Sequence, residues 1–137
     1  HEGCLRCLAR HNRRRAVIFW ISDFLFDPEQ ELPDGLVRTL RTLSQRHEVI
    51  AVAINEPNEW ALANCGMVWA ADPEGGVPVL LDTGSAAFRA EYQRRGRAMR
   101  AMRRHLFNRA RVDFLELSAD GDFIVPLVGY LRQRALR

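Results

Sequence analysis

Residues 16–21, Ala-Val-Ile-Phe-Trp-Ile, form an unbroken apolar run that closes on Ser22-Asp23-Phe24. A run so rich in β-branched and aromatic residues reads as a strand buried on both faces, the mark of a parallel sheet with helices on either side. Asp27-Pro28 opens a polar loop that runs to Pro33. Asp34 is then placed to cap a helix over 35–46, because Leu36, Val37, Leu40 and Leu43 fall on one face at helical spacing. Residues 49–54 make a second buried strand. Right-handed crossover makes the two strands parallel neighbours.

The pattern changes between Asn55 and Thr83. Residues 60–64 fit one helical turn. Residues 67–71 and 77–81 are short apolar runs on either side of Asp72-Pro73-Glu74-Gly75-Gly76, which reads as a hairpin. The longest helix is predicted over 85–109, with Phe88, Tyr92, Met99, Met102 and Leu106 as its buried stripe and Gly96 as a kink point. Residues 112–117 read as a third strand of the sheet. A last helix over 122–133 carries Ile124, Leu127, Val128 and Leu131, with Pro126 tolerated near its first turn. Trp20 and Trp69 lie inside strand-like runs and are assigned to the core. Trp60, in an irregular segment, is the candidate for an exposed contact. The whole describes one α/β domain over residues 1–137, with an inserted hairpin.

Composition narrows the class. The chain is 47% hydrophobic and 27% charged, as soluble globular domains are. No apolar run approaches the roughly 18 residues a membrane span needs, and no secretory signal is visible. The first residue is His1 rather than Met. Three cysteines are too few and too odd in number for a disulfide framework, which favours a reducing, cytoplasmic setting. Cys4-x-x-Cys7 with His11 is half of a zinc pattern, but a second pair is required and Cys65 stands alone. Cys4, Leu5 and Leu8 are read instead as the apolar stripe of a short helix ending at Arg13-Arg14-Arg15, where cations suit the negative pole.

Two charged groupings bear on function. Each inferred parallel strand is followed by acids: Asp23 and Asp27, then Glu56, then Asp120 and Asp122. Carboxylates converging at one sheet edge are what magnesium needs, whereas isolated ones cap the following helices. All twenty basic residues are Arg, as codon bias in a GC-rich genome produces. Nine of them lie between Ser85 and Arg111 against one Glu, a local net of +8. Arg97, Arg100 and Arg104 fall on one side of the predicted helix, with Arg94 and Arg103 adjacent. Such a stripe is a solvated face or a contact for an acidic protein. Phosphates are a further ligand such a stripe could take, but the lack of interleaved exposed aromatics argues against single-stranded nucleic acid.

The chain resembles the bacterial von Willebrand factor A-like proteins of domain of unknown function fifty-eight, often encoded beside MoxR-type AAA+ ATPases. The resemblance rests on residues 17–24, on His47-Glu48-Val49-Ile50-Ala51-Val52 leading to Glu56-Pro57-Asn58-Glu59, and on Asp72-Pro73-Glu74-Gly75-Gly76. Leu81-Asp82-Thr83, residues 115–120 and Pro126-Leu127 continue it. It implies a Rossmann-like fold of which this chain is the C-terminal half. In the complete domain an Asp-x-Ser-x-Ser loop, a Thr and a later Asp form a metal-ion-dependent adhesion site. Asp23 matches that later Asp, and nothing here matches the loop or the Thr. Asn55 stands where the family commonly has Asp, and Ala63 where it commonly has Pro.

Without its missing neighbour the Asp23 strand is an exposed apolar edge. That edge is expected to be covered by a second copy, an upstream segment or another protein. The function expected is a non-enzymatic interaction module, assembling or maturing complexes with a MoxR-type AAA+ ATPase. Its contacts are the open edge and Arg94, Arg97, Arg100, Arg103 and Arg104. It has no catalytic residue and no resident cofactor. The alternative is a magnesium-dependent phosphodiester hydrolase with Asp23, Asp27, Glu56 and Asp120 as ligands and the arginines on the substrate backbone.

Overall fold

A computed structural model gives an α/β architecture and describes residues 2–11, 14–30, 32, 34–71 and 75–136. Arg13, Pro33 and Asp72-Pro73-Glu74, used in the sequence reading, lie outside the described residues. In chain order the elements are α1 (Glu2–His11), β1 (Val17–Ser22), α2 (Asp34–Arg46), β2 (Glu48–Asn55), a 3-10 turn (Pro57–Glu59), β3 (Met67–Ala70), β4 (Val79–Asp82), α3 (Ala86–Ala110), β5 (Asp113–Ser118) and α4 (Ile124–Ala135). β1, β2 and β5 form a parallel sheet in that order, while β3 and β4 pair only with each other, antiparallel. The predicted βαβ unit, third strand and hairpin are all present. The turn expected at 60–64 is instead the 3-10 turn at Pro57–Glu59.

The core lies on one face of the sheet. Ile18 and Trp20 of β1, Val49, Ala51 and Ala53 of β2 and Phe114 of β5 pack against Leu36, Val37, Leu40 and Leu43 of α2 and Leu106, Phe107 and Ala110 of α3. Phe24 sits at the centre of the aromatic groups, edge-on to Trp20 and Phe107 with ring centroids 4.8 and 5.1 Å away. Ser85 caps α3 by accepting from the Phe88 N–H, and Arg111 closes it in the left-handed region at φ 56°. Gly96 marks no break in the helix. A Cβ there would stand 3.1 Å from the Glu59 carbonyl oxygen, so glycine lets the 3-10 turn lie against α3.

The other face corrects the expectation of a β1 buried on both sides. Val17, Phe19 and Ile21 are 54%, 46% and 59% exposed. α4 is the one described helix on that face, and it is anchored over β5: Tyr130 donates to Asp113, and Arg134 pairs with Asp113 and Glu48. Nothing described lies over β1. Ile124, Val128 and Leu131, the apolar stripe of the predicted last helix, therefore stand 59%, 38% and 44% exposed. Trp69 is also misassigned, at 72% exposure, because the hairpin projects from the sheet instead of joining it. In α1 only Leu5 of the expected stripe is buried, with Ala9 packed beside it; Cys4, Cys7 and Leu8 are exposed.

His47, between α2 and β2, is buried, and neither ring nitrogen has a hydrogen-bond partner among the described residues. A desolvated polar group with no partner costs more than the apolar group that would replace it. His47→Leu is therefore expected to leave folding intact and to raise stability by about 1 kcal/mol, measured by urea denaturation. A loss of stability would show that the ring nitrogens are satisfied.

Candidate functional site

The carboxyl ends of the parallel strands gather the most unusual polar group in the molecule. Arg103, on the inner face of α3, is fully buried. Its Nε–H donates to the Phe24 carbonyl oxygen at 2.8 Å, and its Nη1 donates to Asn55 Oδ1 at 2.6 Å. The indole of Trp60 lies 5.3 Å from the guanidinium carbon, within cation–π range. One arginine thus ties the end of β1, the end of β2 and the 3-10 turn to α3. Its pKa is pulled down by burial, with Glu59, Asp23 and Glu116 opposing that shift. An arginine stays charged even so.

The β1 end is held in a costly shape. Phe24 adopts φ 48°, rare for a bulky side chain, while only 2% exposed. Its carbonyl accepts from both Arg103 and the Phe26 N–H, and its own N–H donates to Ser22 Oγ at 3.2 Å. Asp23 is thereby turned outward, where it accepts a hydrogen bond from Ser22 Oγ at 3.2 Å. Glu59 lies on the far side of Arg103, on the rim of a cleft of about 430 Å³ between Leu25, Phe26, Tyr92 and Met99. Among the described residues its buried Oε2 accepts no hydrogen bond, and the buried Arg103 Nη2 donates none. Burial raises the Glu59 pKa above the usual carboxylate range, against a backbone hydrogen bond and Arg103, which lower it.

The strand-end acids do not converge. Asp27 accepts from the Glu29 N–H and the Gln30 side chain, Asp120 accepts from Ser118, and Asp122 caps the α4 N–H groups of Ile124 and Val125. Among the described residues no three His, Cys, Asp or Glu side chains stand close enough to hold one ion. Asp23, Asp27, Glu56 and Asp120 thus do not fit magnesium as a set, since an octahedral oxygen cage needs several of them together.

The arginine stripe is also rearranged. Arg103 is not on the surface, which removes it from the expected contact residues. Arg100 and Arg104 both grip Glu116, at 2.8 and 2.6 Å, and Arg94 pairs with Glu91 at 2.6 Å. Arg97 is exposed and meets no acid among the described residues. Burial alone would raise the Glu116 pKa, but the hydrogen bonds from Arg100 and Arg104 outweigh it and hold the group below its ordinary value. Trp60, expected as an exposed contact, is packed between Arg100, Arg103 and α3. The periodicity carried a signal for Arg103: it falls on the line of Gly96, Met99, Leu106 and Ala110, so its position is a core position.

These features define a parallel α/β domain with a buried arginine at the carboxyl end of its sheet. The chain belongs to the family described as protein of unknown function DUF58, whose model matches residues 2–102. Uncharacterised proteins of Mycobacterium bovis and Mycobacterium tuberculosis are each 32% identical to it over 127 residues, 93% of this chain. One of Mycobacterium avium is 31% identical over the same share. The chain spans 38% of the length of the first two relatives and 71% of the third. No solved structure matches it.

Two outcomes follow from the charged centre. Arg103→Met removes the donor to Phe24 and Asn55 while keeping the volume, and is expected to cost about 2–4 kcal/mol in urea denaturation; a neutral effect would mean the arginine holds nothing. The acids act in opposite senses with pH. Glu59, with a raised folded pKa, opposes folding at neutral pH, and that penalty is relieved as pH falls through its folded value. Glu116, with a lowered one, contributes stability that is complete above the ordinary carboxylate value of 4.5 and is lost as pH falls through the folded value below it. Glu59→Gln is expected to abolish the acid-side rise and Glu116→Gln the steeper fall beneath it, read from thermal melts across pH; unchanged profiles would overturn the assignment.

Proposed function

We propose that these residues form the interaction-bearing part of a larger von Willebrand factor A-like domain, non-enzymatic and cytoplasmic, that works beside a MoxR-type AAA+ ATPase. The observation that carries this reading is the uncovered apolar face. Phe19, Ile21, Ile54, Leu117, Phe123, Leu127 and Leu131 line a trough of about 570 Å³ between the sheet and α4, and it opens beside the unpaired edge of β1. Exposed apolar surface of that continuity marks a site that is covered in use. The occupant is polypeptide of the same protein beyond these residues, since the mycobacterial relatives are far longer than the chain.

With that face occupied, the outward contact is the arginine side of α3. Arg97 leads it, flanked by Arg94, Arg100 and Arg104, whose pairing with Glu91 and Glu116 leaves them more than 40% exposed. Charge on a rim sets encounter rate and orientation more than tightness, which suits a transient acidic partner. No described helix is long and apolar enough to cross a membrane.

The test is a calorimetric titration of a purified MoxR-type AAA+ ATPase into the chain. Binding is expected at low salt, weakening with added salt and by about tenfold in the Arg94→Glu/Arg97→Glu double variant. An absence of binding at low salt, or binding indifferent to both changes, would overturn the proposal.

A further inference from the structure

Cys4 and Cys7 are the part of the sequence pattern that neither the core nor the proposed contact uses. Cys4 was expected in the apolar stripe with Leu5; instead both thiols are reduced and exposed. Leu5 is 3% exposed and packs with Ala9 toward the core, so α1 is seated by that side. Three residues of α-helix carry Cys7 about 60° around the axis from Cys4, which sets the two thiols together on the side away from Leu5 and Ala9. Their Cα atoms stand about 5 Å apart on helix geometry, inside the range a disulfide bridges.

We propose that Cys4 and Cys7 are a reversible dithiol switch that closes to an intramolecular disulfide on exchange with a small-molecule disulfide. One cysteine thiolate attacks the small disulfide, forming a mixed disulfide and releasing one thiolate. The second cysteine thiolate then attacks the protein sulfur of that bond and releases the other. Two protein thiols are oxidised, the external disulfide is reduced to two thiols, and the two protons lost from the cysteines end on the departing sulfurs. No other oxidant is needed.

The geometry makes the closed form a switch rather than a staple. Cβ atoms at this helical spacing lie about 5–6 Å apart, whereas a relaxed disulfide brings them to about 3.8 Å. Closure must tighten the turn of α1 that contains Leu5, the residue that seats the helix. A bond formed against such a distortion is easily reduced again, and transient bonds of that kind are the ones a reducing compartment permits.

The experiment equilibrates the chain across ratios of oxidised to reduced glutathione, quenches with acid, alkylates and maps the products by mass spectrometry. Two of the three thiols are expected to be protected, with the bond joining Cys4 to Cys7. Arg6 lies between them, so trypsin separates the two cysteines unless a bond joins the fragments. Cys4→Ser and Cys7→Ser should each abolish the bond, and Cys65→Ser should leave it. In urea the same bond is expected to form at a less oxidising ratio, because the unfolded chain has no helix to distort. Three alkylated thiols at every ratio, bonds through Cys65, glutathione adducts without ring closure, or equal ratios in folded and unfolded chain would each overturn the switch.

Discussion

A guanidinium with no exposed atom and no carboxylate in direct contact among the described residues is the constraint around which this fold is arranged. Removing such a cation from water costs several kcal/mol. Around Arg103 that cost is offset by charge-assisted hydrogen bonds to Phe24 and Asn55, by the Trp60 ring, and by the field of Glu59, Asp23 and Glu116. Each partner comes from a different segment. The charge is tolerable only when β1, β2 and the 3-10 turn are all in place on α3, so it selects one arrangement of those segments over others.

The rest of the inner face follows from that arrangement. Gly96 and Arg103 lie two turns apart on the same side of α3; the glycine admits the Glu59-Trp60 backbone and the arginine takes up the Trp60 ring. Phe24 is held in its strained backbone by the same arginine and by packing against four aromatic neighbours, Trp20, Phe26, Phe107 and Phe114. The outer face has no comparable device. α4 is fastened near its C-terminus by Arg134 and Tyr130, and the apolar residues at its start remain over open trough.

That asymmetry explains what was legible in the sequence. The strands, the α2 stripe and the hairpin were readable because each is set by local periodicity and by turn residues. Burial on the outer face was not, because Phe19, Ile21, Ile124 and Leu131 carry the pattern of core residues while no described element covers them. Trp69 misled for a different reason: its hairpin pairs only with itself and does not join the parallel sheet. The site was less legible than the fold. An arginine among eight in one helix looks like one more surface charge, and only its register with Gly96, Met99, Leu106 and Ala110 sets Arg103 apart. The acids were legible in part: Asp122 caps α4 as the capping reading has it, whereas the converging set does not form, since strand-end position says nothing of side-chain direction, and Asp27 and Asp120 turn to their own loops.

The two faces also divide the chemistry available to the protein. At the carboxyl end of the sheet, polar groups are committed: Glu116 to two arginines, Asn55 and Phe24 to a third, Asp122 to a helix. Moving any of these groups means breaking a bond that holds the fold, which is poor preparation for binding and releasing a substrate. Committed charges do set a fixed electrostatic pattern, and a fixed pattern on a rigid helix is what a docking partner reads. The outer face offers the complementary property, apolar area with nothing yet spent on it. In the proposed interaction role such a domain would gain stability from being covered on one side and specificity from the ordered arginines on the other, each face being used for the property it has.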